Sequence, residues 1–180
     1  VRQILQERCA LISLAEAGVQ SNPVEDAPTL EGNALIKVRD AHRLSQLPTI
    51  ADDTGLEVDC LGGAPGVYSA RYAGEAHNDA ANRQKLVEDL RSFSPPYKAR
   101  FRTVVAYIDA AGAEHLFEGC VEGTIILEER GEAGFGYDAL FVPEGEERTF
   151  AQMTEHEKNA MSHRARAITA FSQYLKQYPL

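Results

Sequence analysis

The sequence predicts an α/β protein built on a mixed β-sheet with flanking helices, and three observations carry that prediction. Segments with apolar residues at three- and four-residue spacing interleave with segments of strand composition. One hairpin pattern is plain near the middle of the chain, and no repeat or low-complexity linker breaks the order. At 180 residues the chain fits one domain, 1–180, long enough to bury a real core.

The elements follow in order. Residues 1–17 are helical in pattern, with Gly18 as the stop. "PVEDAPT", 23–29, is a loop. Thr29 caps a second helix in which Leu30, Ala34, Val38 and Ala41 share a face, so the helix is expected to reach about Leu47. "PTIA", 48–51, is a short strand. A glycine-rich stretch follows, and then a helix from Asn78 to Phe93, capped by Asn78 or Asp79, with Leu86, Val87 and Leu90 inward. The hairpin has strands from about Ala99 to Ile108 and onward from about Glu114, with its turn near Gly112. "GFGYDALFVP" is a loop entering another strand. A closing helix, Thr154 to Tyr174, opens with a Thr154/Glu157 capping box and carries the stripe Met161, Ala165, Ile168 and Leu175.

Composition narrows the function classes. Apolar residues at 44% and charged residues at 25% are ordinary globular values. No stretch approaches the roughly 20 apolar residues of a membrane span, and no basic-then-apolar signal segment opens the chain. Cys9, Cys60 and Cys120 have no metal-ligand spacing and cannot all pair, which favours a reducing compartment, the cytoplasm. A net charge of −9 argues against nucleic-acid polymers as partners. It leaves room for a small phosphorylated ligand if a metal ion bridges the like charges. The opening "VRQILQ" lacks an initiator Met and reads as the middle of a helix, so a segment upstream of Val1 is expected.

Three stretches are candidates for chemistry. In "ADDTGLEVDCLGGAPGVYSARYAGE", 51–75, a lone Asp-Asp pair more often makes a turn or a helix cap. That reading weakens here because Leu56, Val58 and Cys60 alternate with Glu57 and Asp59, which is not helical. Asp52 and Asp53 at the mouth of a strand suit metal binding and proton abstraction, with a cation nearby to keep adjacent acids ionised. Gly62, Gly63 and Gly66 read as a tight connection bringing residues 68–71 close to the acids. Arg71 is equally suited to an acid partner or a phosphate.

In "GFGYDALF", 134–141, Phe135 and Tyr137 either pack in a hairpin or form a platform against which a purine stacks. The two readings stand level. In "EHEKNAMSHRARA", 155–167, Lys158 and Ser162 fall on one helix face, and His163 and Arg164 lie off the apolar stripe. That face is either merely solvated or a cationic wall for base and phosphate. Glu25, in an acidic loop, and Lys37, on the polar side of its helix, attract no notice alone.

Taken together, "TLEGNALIKVR", "ADDTGLEVDCLGGAPGVYSARYAGE", "GFGYDALFVP" and "MTEHEKNAMSHRARA" resemble, in order and separation, the Ham1-like inosine triphosphate pyrophosphatases, the bacterial dITP/XTP pyrophosphatase family. The resemblance runs from Val1 to the end of the closing helix. It implies a homodimeric α/β enzyme with a long twisted sheet and two lobes around a central cleft. It also implies Mg²⁺-dependent hydrolysis of ITP, dITP and XTP to the monophosphate and pyrophosphate. Carried onto this chain, Asp53 matches the proton acceptor and metal ligand, with Asp52 beside it. Glu25 matches a second acidic ligand, Lys37 a phosphate-facing lysine and Thr54 a substrate contact. Phe135, Gly136, Tyr137 and Asp138 match the base-binding loop, and Lys158, His163 and Arg164 the nucleotide contacts of the closing helix.

The residue types agree with that chemistry. A triphosphate carries about four negative charges at neutral pH, so an acidic site holds it only through Mg²⁺ and basic side chains opposite. The chain departs from the family pattern twice. The Ser/Thr-Asn-x-Gly-Lys phosphate loop and its strand, which stand just ahead of the position of Val1, are not in this sequence, and Gly32 stands where many relatives have Glu. The competing reading is a non-catalytic nucleotide-binding protein that keeps the base pocket alone.

Overall fold

The computed structural model describes residues 2–5, 9–74 and 77–180. Helix α1 spans Arg2–Leu5, and the expected helix positions 1 and 6–8 lie outside the described residues. The expected single helix to residue 17 does not form: residues 9–13 are irregular and 14–18 make a turn. Ser13 and Glu16 explain the break. The Ser13 N–H donates to Glu16 Oε2 at 2.7 Å and the Glu16 N–H to Ser13 Oγ at 3.2 Å, a reciprocal cap that starts a new turn. Gly18, at φ +67°, closes it.

Helix α2, Leu30–Ser45, matches its expected start and inward face. Thr29 Oγ1 accepts the Gly32 N–H at 3.1 Å, and Leu30, Ala34, Val38 and Ala41 are buried. It ends just short of the expected Leu47, at Gln46 in the left-handed region. Strand β1, Thr49–Val58, is ten residues long rather than four. The alternation seen at Leu56 and Val58 therefore belongs to the same strand as Ile50, and the aspartates lie within it rather than at its mouth.

Helix α3, Asp79–Leu90, is capped by Asn78 Oδ1, which accepts the Ala81 N–H at 3.1 Å. Strands β2, Tyr97–Ile108, and β3, Glu114–Ile125, form the expected hairpin, closed by the Asp109 N–H to the Ala113 carbonyl at 3.0 Å. Strand β4, Phe141–Pro143, pairs antiparallel with β3, Ile125 opposite Phe141 and Gly123 opposite Pro143. The sheet order is β1-β2-β3-β4 and the strands are antiparallel, so the α/β class stands, while among the described residues the parallel pairing of a mixed sheet is not present.

The closing segment is two helices, α4 at Glu155–Met161 and α5 at His163–Gln177. The Thr154/Glu157 capping box opens α4 as expected. Ser162 breaks the run with extended backbone, φ −65° and ψ 150°, the conformation a serine adopts when it opens a helix. The i, i+4 relation of Lys158 to Ser162 is thereby lost. The apolar stripe divides too: Met161 packs on one core, Ile168 and Leu175 on another.

The chain forms two compact units, one of residues 1–53, 103–119 and 164–180, the other of residues 54–102 and 120–163. The first gathers Val105 and Tyr107 of β2 with Ile168, Phe171 and Leu175 of α5. The second packs Leu56 and Val58 of β1 with Leu86 and Leu90 of α3, and Phe101 with Phe141 and Phe150. Ring centroids there lie 4.7 Å apart for Phe101 and Phe141, edge to face, a geometry favoured by the ring quadrupoles.

Candidate active site

The first unit holds an acidic pair joined by a cation. Lys37, projecting from α2, places Nζ 3.0 Å from Asp53 Oδ1 and 3.4 Å from Glu25 Oε2. Glu25 comes from the loop ahead of α2, Asp53 from β1, so two carboxylates from separate segments converge on one positive charge. Burial pushes the Asp53 carboxyl above the usual aspartate range; Lys37 pulls the other way by hydrogen bond and attraction, while Glu25 adds to the rise. Among the described residues no group of three or more His, Cys, Asp or Glu side chains converges for a metal. Two hard carboxylates suit Mg²⁺, which is held by one or two carboxylates together with water and its substrate. Lys37 Nζ marks where a cation is already favoured, so the residues fit.

Asp52 does not join this pair. Successive strand residues face opposite sides of a sheet, so the neighbour of Asp53 points away from it. Arg164, the second residue of α5, holds Asp52 Oδ2 with Nε at 3.1 Å and Nη2 at 3.0 Å. The expected cation beside adjacent acids is thus two cations, one per face. The sequence placed Asp52 among the metal ligands; the strand geometry removes it from Glu25 and Asp53.

Asn33 escaped notice in the sequence. It is only 1% exposed, its Oδ1 accepts the Ala27 N–H at 3.0 Å, and its amide donates to Asp53. One side chain therefore ties the Glu25 loop to the Asp53 carboxylate. The signal was legible: an Asn three residues after Leu30 and next to Ala34 sits on the inward face of its helix, where a polar group needs partners. Gly32 beside it has a steric role, because a Cβ there would lie 2.6 Å from Ala27 Cβ. A Glu at this position requires the loop to move.

The second unit assembles the aromatic loop. Phe135 is 68% exposed, whereas Tyr137 is buried, its hydroxyl donating to the Ser69 carbonyl at 2.7 Å. The level readings of the loop divide by residue: Tyr137 packs, and Phe135 offers a free ring face. Burial raises the Tyr137 hydroxyl far above the ordinary tyrosine range, so it stays a neutral donor. Asp138 is buried and paired with Lys158 Nζ, and its Oδ2 also accepts the Phe135 N–H at 3.1 Å. Lys158 Nζ stands 4.7 Å from the Phe135 ring centre. Gly134 makes this possible: at φ +76°, a Cβ there would lie 2.2 Å from Asp138 Oδ2. Phe135, Asp138 and Lys158, proposed from two separate motifs, form one cluster.

His163 departs from its expected exposure. It is buried and stacks on Phe101 at 4.9 Å and 15°, because the break at Ser162 restarts the helix with a new phase. Gly136, at φ +60°, is held through its backbone: its N–H donates to Asp79 Oδ2 at 2.8 Å and its carbonyl accepts from Arg83 Nη1 at 2.8 Å. Thr54 follows Asp53 in β1 and is the first residue of the second unit. Arg71 lies over the Tyr68 ring, 5.2 Å from its centre.

A model of the Ham1 family matches residues 1–174. The chain belongs to the Ham1 family. This Ham1-family chain is 51% identical over 175 residues to a dITP/XTP pyrophosphatase of Porphyromonas gingivalis, covering 97% of this chain and 90% of that protein. It is 43% identical over 165 residues to a dITP/XTP pyrophosphatase of Bacillus subtilis, covering 91% and 83%. Its fold matches the Staphylococcus aureus Ham1 protein with a TM-score of 0.91 at 35% identity, covering 98% of this chain and 91% of that one. A Ham1 protein from Coxiella burnetii matches with a TM-score of 0.91 at 37% identity over the same shares.

Proposed function

We propose that this protein hydrolyses dITP, ITP and XTP to the nucleoside monophosphate and pyrophosphate, acting on the nucleotide pool. The observation that carries the reading is the half-buried Glu25–Lys37–Asp53 cluster, in a chain whose relatives are named dITP/XTP pyrophosphatases. Glu25 and Asp53 would hold Mg²⁺, which when bound offsets the charge of the triphosphate. Asp53 accepts a proton from the attacking water. Lys37 moves from the carboxylates toward a phosphate oxygen, a short step for a flexible ammonium on a four-carbon stem. Arg164, in a half-exposed pair with Asp52, gives up little in turning to the substrate.

Phe135 stacks on the purine. Its own N–H and that of Gly136 are already committed to Asp138 and Asp79, so side chains read the base edge. Lys158 is suited to this, having donors only. It can serve a 6-oxo group but faces donor against donor at the 6-amino group of adenine. Buried Tyr137, Asp138 and His163 hold the loop and its surroundings in shape rather than touch the base. The protein is proposed to work in the cytoplasm as a homodimer; none of its three cysteines is in a disulfide.

Pyrophosphate release from ITP, XTP, dITP, ATP and GTP with Mg²⁺ tests the proposal. Turnover of ITP and XTP at least 100-fold above ATP is expected. Equal turnover of ITP and ATP overturns the specificity, and nucleotide binding without any turnover favours the non-catalytic reading.

A further inference from the structure

We infer that Asp79 and Arg83 are positioning residues for base binding: a two-point clamp from α3 that fixes Gly136 and thereby the Phe135 platform. The inference rests on the reading of Phe135 as the base platform. Asp79 and Arg83 are i and i+4 on α3, hence on one face. From that face Asp79 accepts the Gly136 N–H and Arg83 donates to the Gly136 carbonyl, both at 2.8 Å, so both polar groups of one residue are fixed by charge-assisted bonds. Arg83 is itself braced, its Nε donating to Glu129 Oε1 at 2.8 Å.

Tyr137 anchors the loop on one side by packing, but Gly136 has no side chain of its own to pack. A Cβ built on Gly136 meets nothing within 4 Å, and Asp79, Arg83 and Gly136 border a cavity of about 320 Å³. With Asp138 holding the Phe135 N–H and Lys158 lying over the ring, the two bonds to Gly136 complete the set of contacts that fixes where the ring stands. A displaced platform loses stacking contact, while the bonds that join Glu25, Lys37 and Asp53 do not involve Asp79 or Arg83. The clamp should therefore govern affinity for the base and leave the chemical step alone.

The test compares Arg83→Ala, Asp79→Ala and Asp79→Asn in the purified protein. Arg83→Ala and Asp79→Ala are expected to raise KM for ITP and Kd for IMP about tenfold, with kcat within about threefold and the inhibition constant of pyrophosphate, which has no base, unchanged. Amide exchange at residues 135–138 should quicken in both. Asp79→Asn keeps an acceptor oxygen for the Gly136 N–H and should restore IMP affinity to within about twofold. Unchanged IMP affinity in both alanine variants overturns the clamp, as does a parallel loss of IMP and pyrophosphate affinity, which would mark a general structural role. If an alanine variant does not fold, Glu129→Gln, which loosens only the brace on Arg83, is expected to raise Kd for IMP two- to fivefold, and no change overturns the inference. Wild-type protein that binds IMP but leaves ITP intact would sink the pyrophosphatase reading while leaving this comparison valid.

Discussion

Replacing Asp53 by Asn should move activity and stability in opposite directions. Asn is nearly isosteric, keeps a hydrogen-bond acceptor for Lys37 and leaves Lys37 its second partner, Glu25, at 3.4 Å. It removes the base, and a positioned general base contributes about 10²–10⁴ in rate. The loss in kcat for ITP should therefore be at least about 100-fold, or about 2.7 kcal/mol of transition-state stabilisation. For stability, burial is the largest influence on the Asp53 carboxyl and places it above its ordinary value. A carboxyl raised in the folded state binds its proton more tightly there than when unfolded. Its favourable contribution is then complete below the unfolded value of about 4 and is lost as pH rises through the folded value. An amide in its place carries no such loss, so the variant should gain on wild type as pH rises from about 4 to 7. Each kcal/mol gained raises Tm by about 2–4 °C for a chain of this size. Thermal melts at pH 4, 5.5 and 7 without Mg²⁺, with coupled pyrophosphate release at pH 7, provide the measurements. A variant that keeps more than a tenth of wild-type kcat, or whose Tm relative to wild type falls between pH 4 and 7, refutes the reasoning.

Three further outcomes follow from the same geometry. Phe135→Ala should change stability by no more than about 0.5 kcal/mol, because the ring is 68% exposed. It should raise KM for ITP by about 5- to 150-fold, the worth of one stacked base; an unchanged KM removes the platform. Asn33→Ala orphans the Ala27 N–H and should cost about 1–3 kcal/mol in denaturant titration. Its Mg²⁺ half-saturation should rise as the Glu25 loop loosens. Asp52→Asn should leave Mg²⁺ half-saturation within about twofold, since its exposed pair with Arg164 is worth about 0–1 kcal/mol. A tenfold rise would return Asp52 to the metal.

Much of the fold was legible because local signals and packing agree. Thr29, Asn78 and Thr154 each cap the helix they were expected to cap, and Leu30, Ala34, Val38 and Ala41 are the inward face that their spacing proposed. The misses lie where two local signals compete. Ser13 and Glu16 form a capping box inside a helical pattern, and Ser162 opens a new helix inside another. In both cases a side chain able to cap overrode continuous apolar spacing, and spacing alone cannot report that. The length of β1 was missed for a different reason: aspartates have low strand propensity, and partners distant in sequence hold them there.

The same contrast explains the site. Residue types singled out Asp53, Phe135, Asp138 and Lys158, the family resemblance added Glu25 and Lys37, and the structure gathers them into two clusters. What the motifs could not supply was direction. Asp52 and Asp53 are adjacent in sequence and opposite in space, and Phe135 and Tyr137, two positions apart in a turn, differ between solvent and core. Direction also assigns the cations: Lys37 meets both Glu25 and Asp53, Arg164 meets Asp52 and Lys158 meets Asp138. Exposure then ranks them by how readily they can leave. The pair of Arg164 is about half open, that of Lys37 a quarter or less, and that of Lys158 almost closed. On exposure alone, Arg164 should exchange its partner most readily, Lys37 next and Lys158 least.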